Sequence, residues 1–340
     1  FATFLLAVGL RERTHAAVQA GLVLFGVASA LLAVLQVNQI GGQTWQIHTI
    51  ANEGEACGFF ANRNHFALLL CALIPIFFHW AGDVIERRLG THSWVSRSLA
   101  WTGVMTIIAW TLLLVLLAGA RAGILGGVIA LASLPLLRPR RDLKKPAVVR
   151  WMTVGFVVFV AALVAIALGA GRAIAIERLL QSTTDDPRIE LWSETTRLIE
   201  LFWPMGSGPG TFPTAFALHE PDSLLSPTYA NHAHNDWLET VATLGLPGVM
   251  LIASGLGLFA ARLMRVCDRD TRFWGFRRHC CGTSVILILL IGSIVDYPLR
   301  TPALGCLFAL ACAWLWSGTG RSVEGAATSP TANNPEDNSR

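Results

Sequence analysis

Two histidines stand beside amide and carboxyl side chains in the stretch NHAHNDWLETVATLGLPG, residues 231–248, at the start of an apolar segment. His232 and His234 are two residues apart, so they do not match the i,i+4 pair of a helical zinc site. A neutral imidazole near a helix N-terminus can accept a proton near neutral pH, because the helix dipole disfavours its charged form. We therefore predict that this pair supplies a general base, with Asn235 and Asp236 orienting its ring and capping the helix.

Amide side chains that could bind sugar hydroxyls occur in two of the motifs. Asn62 and Asn64 lie in GFFANRNHFALLL, and Asn235 follows His234. We predict that these three asparagines and His232 bind substrate. The alternative for the two histidines is that they only form hydrogen bonds among the lipid headgroups.

Three arginines border apolar segments and are candidates for binding an anionic group. Arg121 lies in LLAGARAGILGG, Arg188 in DDPRIELWSETTRLIELFW and Arg300 in DYPLRT. A guanidinium binds phosphate oxygens through paired hydrogen bonds and stays charged when desolvated. We predict catalytic roles for Arg121 and Arg188, and substrate binding for Arg300, with Asp296 lining the same cavity. The alternatives are that Arg121 extends to lipid headgroups and that neighbouring aspartates compensate the charge of Arg188.

A glycine-rich segment, PMGSGPGTF at residues 204–212, has some likeness to a phosphate-binding loop. It lacks the GxxxxGK[ST] spacing that such a loop requires. We predict instead a tight turn in which two backbone segments approach closely.

The elements that must position these residues are membrane helices. The chain of 340 residues is 53% hydrophobic and 14% charged, whereas soluble domains carry about 25% charged residues. Several apolar segments reach the length of roughly 20 residues that spans a bilayer. We predict an all-α polytopic membrane protein, a transmembrane helix bundle of about eight spans and a truncated N-terminal stub at 1–10, with further N-terminal spans expected. The predicted spans are 14–37, 61–80, 99–118, 122–137, 151–171, 237–260, 281–296 and 302–317.

The distribution of basic residues predicts the orientation. Every second connection between the predicted spans, together with the tail, is rich in basic residues, and these segments hold 19 of the 26 Lys and Arg residues. Lys and Arg favour cytoplasmic loops. The histidine motif then begins on the outer face. We divide the chain into N-terminal transmembrane helices (1–171), a long outer loop with short helices (172–236), C-terminal transmembrane helices (237–317) and a disordered cytoplasmic tail (318–340).

Taken together and in this order, the motifs resemble the superfamily of O-antigen ligases and Wzy-type polymerases over roughly residues 55–305. The motifs that carry the resemblance are GFFANRNHFA, ARAG, DPRIELW, GSGPGTF, HAHNDWLETVATLGLPG and DYPLRTPAL. The resemblance implies a bacterial inner-membrane bundle with a long periplasmic loop and a periplasmic active site. It matches the loop Arg of the family to Arg188, the motif His to His234 and the intramembrane Arg to Arg121.

The resemblance also implies the reaction and its partners. Such proteins transfer a glycan from a polyprenyl diphosphate carrier, such as undecaprenyl diphosphate, to an acceptor hydroxyl in lipopolysaccharide or exopolysaccharide biosynthesis. The acceptor is a lipid A core sugar, a growing glycan or a protein Ser or Thr. The partners expected are therefore the lipid-linked donor, the acceptor and the bilayer, with no nucleic acid, no cofactor and no metal.

The residues and the resemblance predict the same chemistry. Arg121 and Arg188 would stabilise the diphosphate as the glycosidic bond breaks, and His234 would deprotonate the acceptor hydroxyl. One rival is a flippase for lipid-linked sugars, which would need ionisable residues deep in its spans for coupling; the predicted spans have few. The other rival is a metal-dependent hydrolase built on His232 and His234, which would need further ligands.

Overall fold

The long apolar segments of the chain form long helices, as the composition predicts. The computed structural model describes residues 2–10, 12–39, 45–48, 55–89, 94–137, 187–224, 230–267 and 275–316. Helices and their connections make up these residues, and no β-strand occurs among them. The predicted span at 151–171, the first part of the predicted outer loop (172–186) and the predicted tail at 318–340 lie outside the described residues.

Ten α-helices occur in the described part of the chain. In order they are α1 (Ala2–Val8), α2 (Glu12–Asn38), α3 (Arg63–Leu89), α4 (Trp94–Leu117), α5 (Arg121–Ser133), α6 (Pro187–Phe202), α7 (Phe212–Ala217), α8 (Asp236–Cys267), α9 (Phe276–Val295) and α10 (Pro302–Trp316). Short 3₁₀ helices cover Leu134–Leu137, Asp222–Leu224 and Pro298–Arg300. The predicted N-terminal stub corresponds to α1.

Five of these helices are long and apolar enough to cross a membrane, so the chain is a multi-pass membrane protein. Their membrane-compatible parts are Thr14–Asn38, Arg63–Leu89, Val95–Leu117, Asp236–Arg265 and Phe276–Val295. The predicted spans at 122–137 and 302–317 correspond to shorter apolar helices, Arg121–Leu137 and Pro302–Trp316. The count of eight spans stays a prediction.

Helices α3 and α5 pack in parallel, with small residues at the contact. A Cβ atom at Gly123 would lie 2.7 Å from the Ala67 Cβ, and one at Gly126 would lie 3.2 Å from the Cys71 Cβ. The contacts follow the same order along both helices, so the two helices run in the same direction. Their small residues allow the close packing. Arg121, at the start of α5, lies at the same end of the bundle as the start of α3.

Helix α9 packs against α3 and α5 in the opposite direction. A Cβ atom at Gly292 would lie 2.7 Å from Leu68 Cδ1, near the start of α3, whereas Ile288 lies deeper, 3.3 Å from such an atom at Gly126. The C-terminal end of α9 thus meets the N-terminal ends of α3 and α5. These three helix ends define what we call the site end of the bundle.

Helix α8 is bent sharply at Gly245, which has φ 58° and ψ −137°. Beyond the bend, a Cβ atom at Gly248 would lie 2.6 Å from the Thr240 carbonyl oxygen, although residues eight apart in a straight helix are separated by about 12 Å. Pro247 follows the bend and cannot donate the helical hydrogen bond. The bend divides α8 into a site half, residues 236–244, and a span half, residues 246–267.

The glycine-rich segment 204–212 holds this bend through backbone hydrogen bonds. Leu246 N–H donates to the Pro204 carbonyl at 2.8 Å, and Gly208 N–H donates to the Thr243 carbonyl at 2.9 Å. A Cβ atom at Gly206 would lie 2.5 Å from the Gly245 backbone nitrogen. The predicted close approach of two backbone segments is confirmed, and its partner is the bend in α8.

Candidate active site

Asp296, directly after α9, is the central hydrogen-bond acceptor at the site end. Its side chain is fully buried. One carboxylate oxygen accepts from the side-chain amides of Asn62 at 3.1 Å and Asn64 at 2.6 Å. The other accepts from the Tyr297 backbone N–H at 3.0 Å and lies 3.2 Å from His234 Nδ1. The structure therefore joins the histidine motif to the asparagine motif through a residue that the sequence assigned only to the cavity lining.

The charge of Asp296 decides the tautomer of His234. Burial by itself raises the pKa of Asp296, but the hydrogen bond from His234 and the nearby ring of His65, whose Nε2 lies 3.6 Å away, lower it more. The net effect holds the pKa of Asp296 well below its usual value of 3.8. An ionised carboxylate can only accept, so Nδ1 of His234 carries the proton and donates it. Nε2 of the neutral ring is then left as the basic nitrogen.

The backbone of His234 has a conformation that few residues other than glycine adopt. Its φ is 49°, in the left-handed region where histidine is enriched but which still costs about 1–2 kcal/mol. The side chain is 34% exposed, so the ring is accessible while Asp296 holds it. Strain of this kind concentrates at functional sites because surrounding contacts fix it.

The contacts that fix this turn come from both of its neighbours. Ala233 is buried in the apolar cluster formed by α6 and α7, and its carbonyl accepts from Trp192 Nε1 at 3.0 Å. The Asn235 side-chain oxygen accepts from the backbone N–H groups of Trp237 at 3.0 Å and Leu238 at 3.1 Å. Asn235 therefore caps α8, as predicted, whereas the carboxylate that forms a hydrogen bond with the His234 ring is that of Asp296.

Tyr297, one of two tyrosines in the chain, lies among three histidine rings. Its ring centroid is 4.3 Å from that of His232, 4.8 Å from that of His65 and 4.9 Å from that of His234. Burial and the nearby charge of Asp296 raise the pKa of Tyr297, so its phenol stays protonated at neutral pH. Sequence reasoning missed both Tyr297 and His65, although each lies within a motif that it had singled out.

Arg188 reaches the same place from the first turn of α6. Its Nη1 donates to the carbonyl of Val295 at 2.9 Å, the residue directly before Asp296. The Arg188 charge also acts on the Tyr297 phenol. Arg121 is half-buried at the start of α5, at the site end. The two arginines predicted to hold a diphosphate thus lie at the same end of the bundle as His234.

Residues 105–253, which include both arginines and the histidine motif, match the family model described as O-antigen ligase. The match supports membership of the superfamily of O-antigen ligases and Wzy-type polymerases. This confirms the resemblance predicted from the sequence and indicates a membrane-embedded glycosyltransferase-type activity on lipid-linked glycans. A search of curated proteins found no match to the chain. Asp296 and Tyr297 lie beyond the matched residues.

Arg300 and His232 both lie next to the carboxylate of Glu239. Glu239, which is buried, lies 3.2 Å from Arg300 Nε and 3.0 Å from His232 Nδ1. Arg300 Nε also lies 3.3 Å from Asp236, whose carboxylate accepts from Ser293 Oγ at 2.8 Å. The charge of Arg300 is therefore balanced within the protein. Glu239 was not singled out in the sequence, because a carboxylate in the first turn of a helix is common.

The asparagine motif is held in place by α2. The buried Gln36 side chain accepts from the backbone N–H groups of Cys57 at 3.1 Å and Gly58 at 2.8 Å, and donates to the Gly58 carbonyl at 3.0 Å. Ser29 Oγ accepts from Phe59 N–H at 3.2 Å. These bonds fix the segment that leads directly into the asparagines.

No group of three His, Cys, Asp or Glu side chains is placed to hold a metal ion within the described ranges. His232 and His234 direct their Nδ1 atoms at different carboxylates, Glu239 and Asp296. The two rings thus bond to different carboxylates, although both contact the Tyr297 ring.

Proposed function

We propose that this protein transfers a glycan from a polyprenyl diphosphate carrier to an acceptor sugar hydroxyl, at the periplasmic face of the bacterial inner membrane. The observation that carries the proposal is the pairing of His234 with the buried, ionised Asp296 beside Arg188. The O-antigen ligase domain supplies the reaction class, and the pairing supplies a base suited to that reaction. The acceptor is a glycan chain or a lipid A core sugar.

In the proposed reaction, Nε2 of His234 takes the proton of the acceptor hydroxyl. The acceptor oxygen forms a bond to the anomeric carbon while the bond from that carbon to the diphosphate oxygen breaks. The bonding electron pair leaves with the diphosphate, and direct displacement inverts the anomeric centre. Asp296 stabilises the imidazolium that forms, as the carboxylate of a Ser-His-Asp triad does.

The diphosphate leaves without a general acid but needs positive charge around it. Arg188 and Arg121 provide this charge from fixed positions at the site end, so little reorganisation accompanies the reaction. Arg300 contributes less to this charge, because Asp236 and Glu239 lie within ion-pair distance of it. We assign Arg300 to holding the site half of α8.

Asn62, Asn64, Asn235 and His232 were predicted to bind substrate. Their side chains form hydrogen bonds with Asp296, with the first turn of α8 and with Glu239. We propose that Asn64 and Asn235, both buried, act mainly by positioning. Asn62 and His232, which are only partly buried, are the two of the four that can also reach a sugar hydroxyl.

The test is release of polyprenyl diphosphate from a lipid-linked glycan by the full-length protein in liposomes, with chelator present. His234→Ala is expected to lower kcat by about 10²–10⁴-fold, the usual contribution of a general base, while donor binding persists. His219→Ala is the matched control, since His219 is exposed in the same outer region. Turnover by His234→Ala at the wild-type rate would remove His234 from the chemistry.

Arg188→Ala is expected to lower kcat/KM by about 10²–10³-fold, as loss of one preorganised donor to developing charge does. Arg197→Ala is its control, because Arg197 lies on the same helix, is 71% exposed and forms an ion pair with the nearby Glu194. Intact donor binding by the wild type without turnover on any acceptor would point to a transporter instead.

A further inference from the structure

A turn directly after α6 exposes two large apolar side chains. Trp203 is 51% exposed and Met205 is 74% exposed, and both lie outside the helices that are long and apolar enough to cross a membrane. The residue between them, Pro204, is exposed as well. Contiguous exposed apolar side chains mark an interaction surface. We call residues 203–205 the interface turn.

Backbone contacts fix the interface turn against the start of the span half of α8. Leu246 N–H donates to the Pro204 carbonyl at 2.8 Å. Just after the turn, a Cβ atom at Gly206 would lie 2.5 Å from the Gly245 backbone nitrogen. Because these contacts join backbone to backbone, the turn cannot shift along α8 while the bend is intact. Its depth relative to the membrane is therefore the depth of Leu246.

The span half of α8 gives that depth. Its exposed large apolar side chains begin at Leu246 and end at Met264, a rise of about 27 Å along the helix. The hydrocarbon core of a bilayer is about 30 Å thick, so this exposed apolar band fits one crossing. At the far end of the band, the Arg262 guanidinium stacks 3.5 Å from the centroid of the Trp316 ring, in the last turn of α10. Leu246 therefore lies where the hydrocarbon meets the headgroups at the site end.

The surface of α6 shows which part of this region stays in water. On the side away from its buried residues, α6 exposes Ser193, Arg197 and Glu200. Charged side chains are unfavourable in hydrocarbon, so this face of the helix stays outside the lipid. Contact with lipid is thus confined to the interface turn, where the exposed side chains are apolar.

We propose that the interface turn inserts into the bilayer leaflet at the site end, with Trp203 and Met205 among the upper carbons of the phospholipid acyl chains. The apolar surface of the turn is continuous with the exposed apolar band of α8, which already faces lipid. An indole also suits this level, since its rings are apolar and its N–H can reach the headgroups. The contact does not depend on the reaction that the site catalyses, because it requires only that α8 crosses the membrane.

Insertion of the interface turn holds α6 at both ends. In its first turn, Arg188 donates to the Val295 carbonyl at 2.9 Å. At its other end, about 21 Å along the helix axis, the interface turn is held by the start of the span half and by lipid. A helix fixed in this way keeps Arg188 at a constant height relative to the membrane surface.

The test places the photoreactive residue p-benzoylphenylalanine at position Met205 of the full-length protein, in nanodiscs of phosphatidylethanolamine and phosphatidylglycerol. Ser193 is the matched control position, because it is exposed on the polar face of α6. Both side chains point away from the core, so both variants are expected to fold, and thermal unfolding checks this. After irradiation, mass spectrometry of the chain and its fragments identifies what is attached at each position. The same probe at Trp203 repeats the measurement on the other side of the turn.

The chain labelled at Met205 is expected to gain the mass of a phospholipid molecule, attached through a carbon of an acyl chain. The chain labelled at Ser193 is expected to gain no lipid. Attachment of Met205 to a second copy of the chain would make the turn a contact between copies, and attachment to headgroups alone would place it outside the hydrocarbon. Either result overturns the insertion, and so does a lipid yield at Met205 that is absent or equal to that at Ser193. Because no turnover is measured, loss of the proposed transferase function would leave this result unchanged.

Discussion

Replacing Asp296 by asparagine tests the pairing on which the proposed chemistry depends. Both carboxylate oxygens face donors: one faces the amides of Asn62 and Asn64, and the other faces His234 Nδ1 and the Tyr297 backbone N–H. An asparagine of the same shape has one oxygen and one NH₂ group. Whichever way its amide turns, the NH₂ group points at donors.

The magnitude follows from these contacts. With the oxygen turned to the two amides, the NH₂ group faces His234 Nδ1, so the ring must give up its Nδ1 proton and carry it on Nε2. The base is then blocked, and kcat is expected to fall by about 10²–10⁴-fold. Arg188 is untouched, so the KM for the donor stays within about threefold. The orphaned donors lower the free energy of unfolding by about 1–3 kcal/mol.

The assay is release of polyprenyl diphosphate by wild type and Asp296→Asn, with thermal unfolding in detergent to show that the variant is folded. Asp222→Asn is the control, since Asp222 is exposed in the segment between α7 and α8. If folded Asp296→Asn keeps a kcat within about threefold of wild type, Asp296 does not set the tautomer of His234. The assignment of Nε2 of His234 as the basic nitrogen would then be wrong.

Three further predictions concern stability. Gly245→Ala is expected to destabilise the fold by about 3 kcal/mol or more, because a Cβ atom there would overlap the Pro204 carbonyl. The control is Gly210→Ala, which is also at positive φ but in open space and should cost only about 1–2 kcal/mol. Thermal unfolding of the two variants compares these costs. Gln36→Ala is expected to lower the free energy of unfolding by about 1–3 kcal/mol, because the backbone N–H groups of Cys57 and Gly58 lose their acceptor. A melting temperature equal to that of wild type would contradict this. The depressed pKa of Asp296 stabilises the fold above pH ~4, and this stabilisation is lost as the pH falls through that pKa. The stability advantage of wild type over the Asp296→Asn variant should therefore shrink on acidification, as unfolding between pH 7 and pH 3 will show.

The structure brings residues of the predicted motifs together, but the pairing between them could not be predicted from the sequence. Asp296 lies 62 positions after His234 in the chain, and no periodicity joins the two. Tyr297 and His65 appear in quoted motifs without a pattern that marks them, since a single aromatic or histidine beside an apolar helix is usually a packing residue. The contacts of Arg300 were also beyond reach, because Glu239 and Asp236 face it only after the bend brings α8 against the end of α9.

The sequence by itself determined the class of the protein and the family of its domain. Membrane helices can be predicted from the sequence because a run of about 20 apolar residues is long enough to cross the hydrocarbon core by itself. The family resemblance follows from short motifs, each of which can be read from a few consecutive residues. Tertiary structure alone decided that Asp296 holds His234 and that residues 204–208 hold the bend at Gly245. These features depend on the register between helices distant in sequence, which side-chain packing sets and which no local pattern encodes.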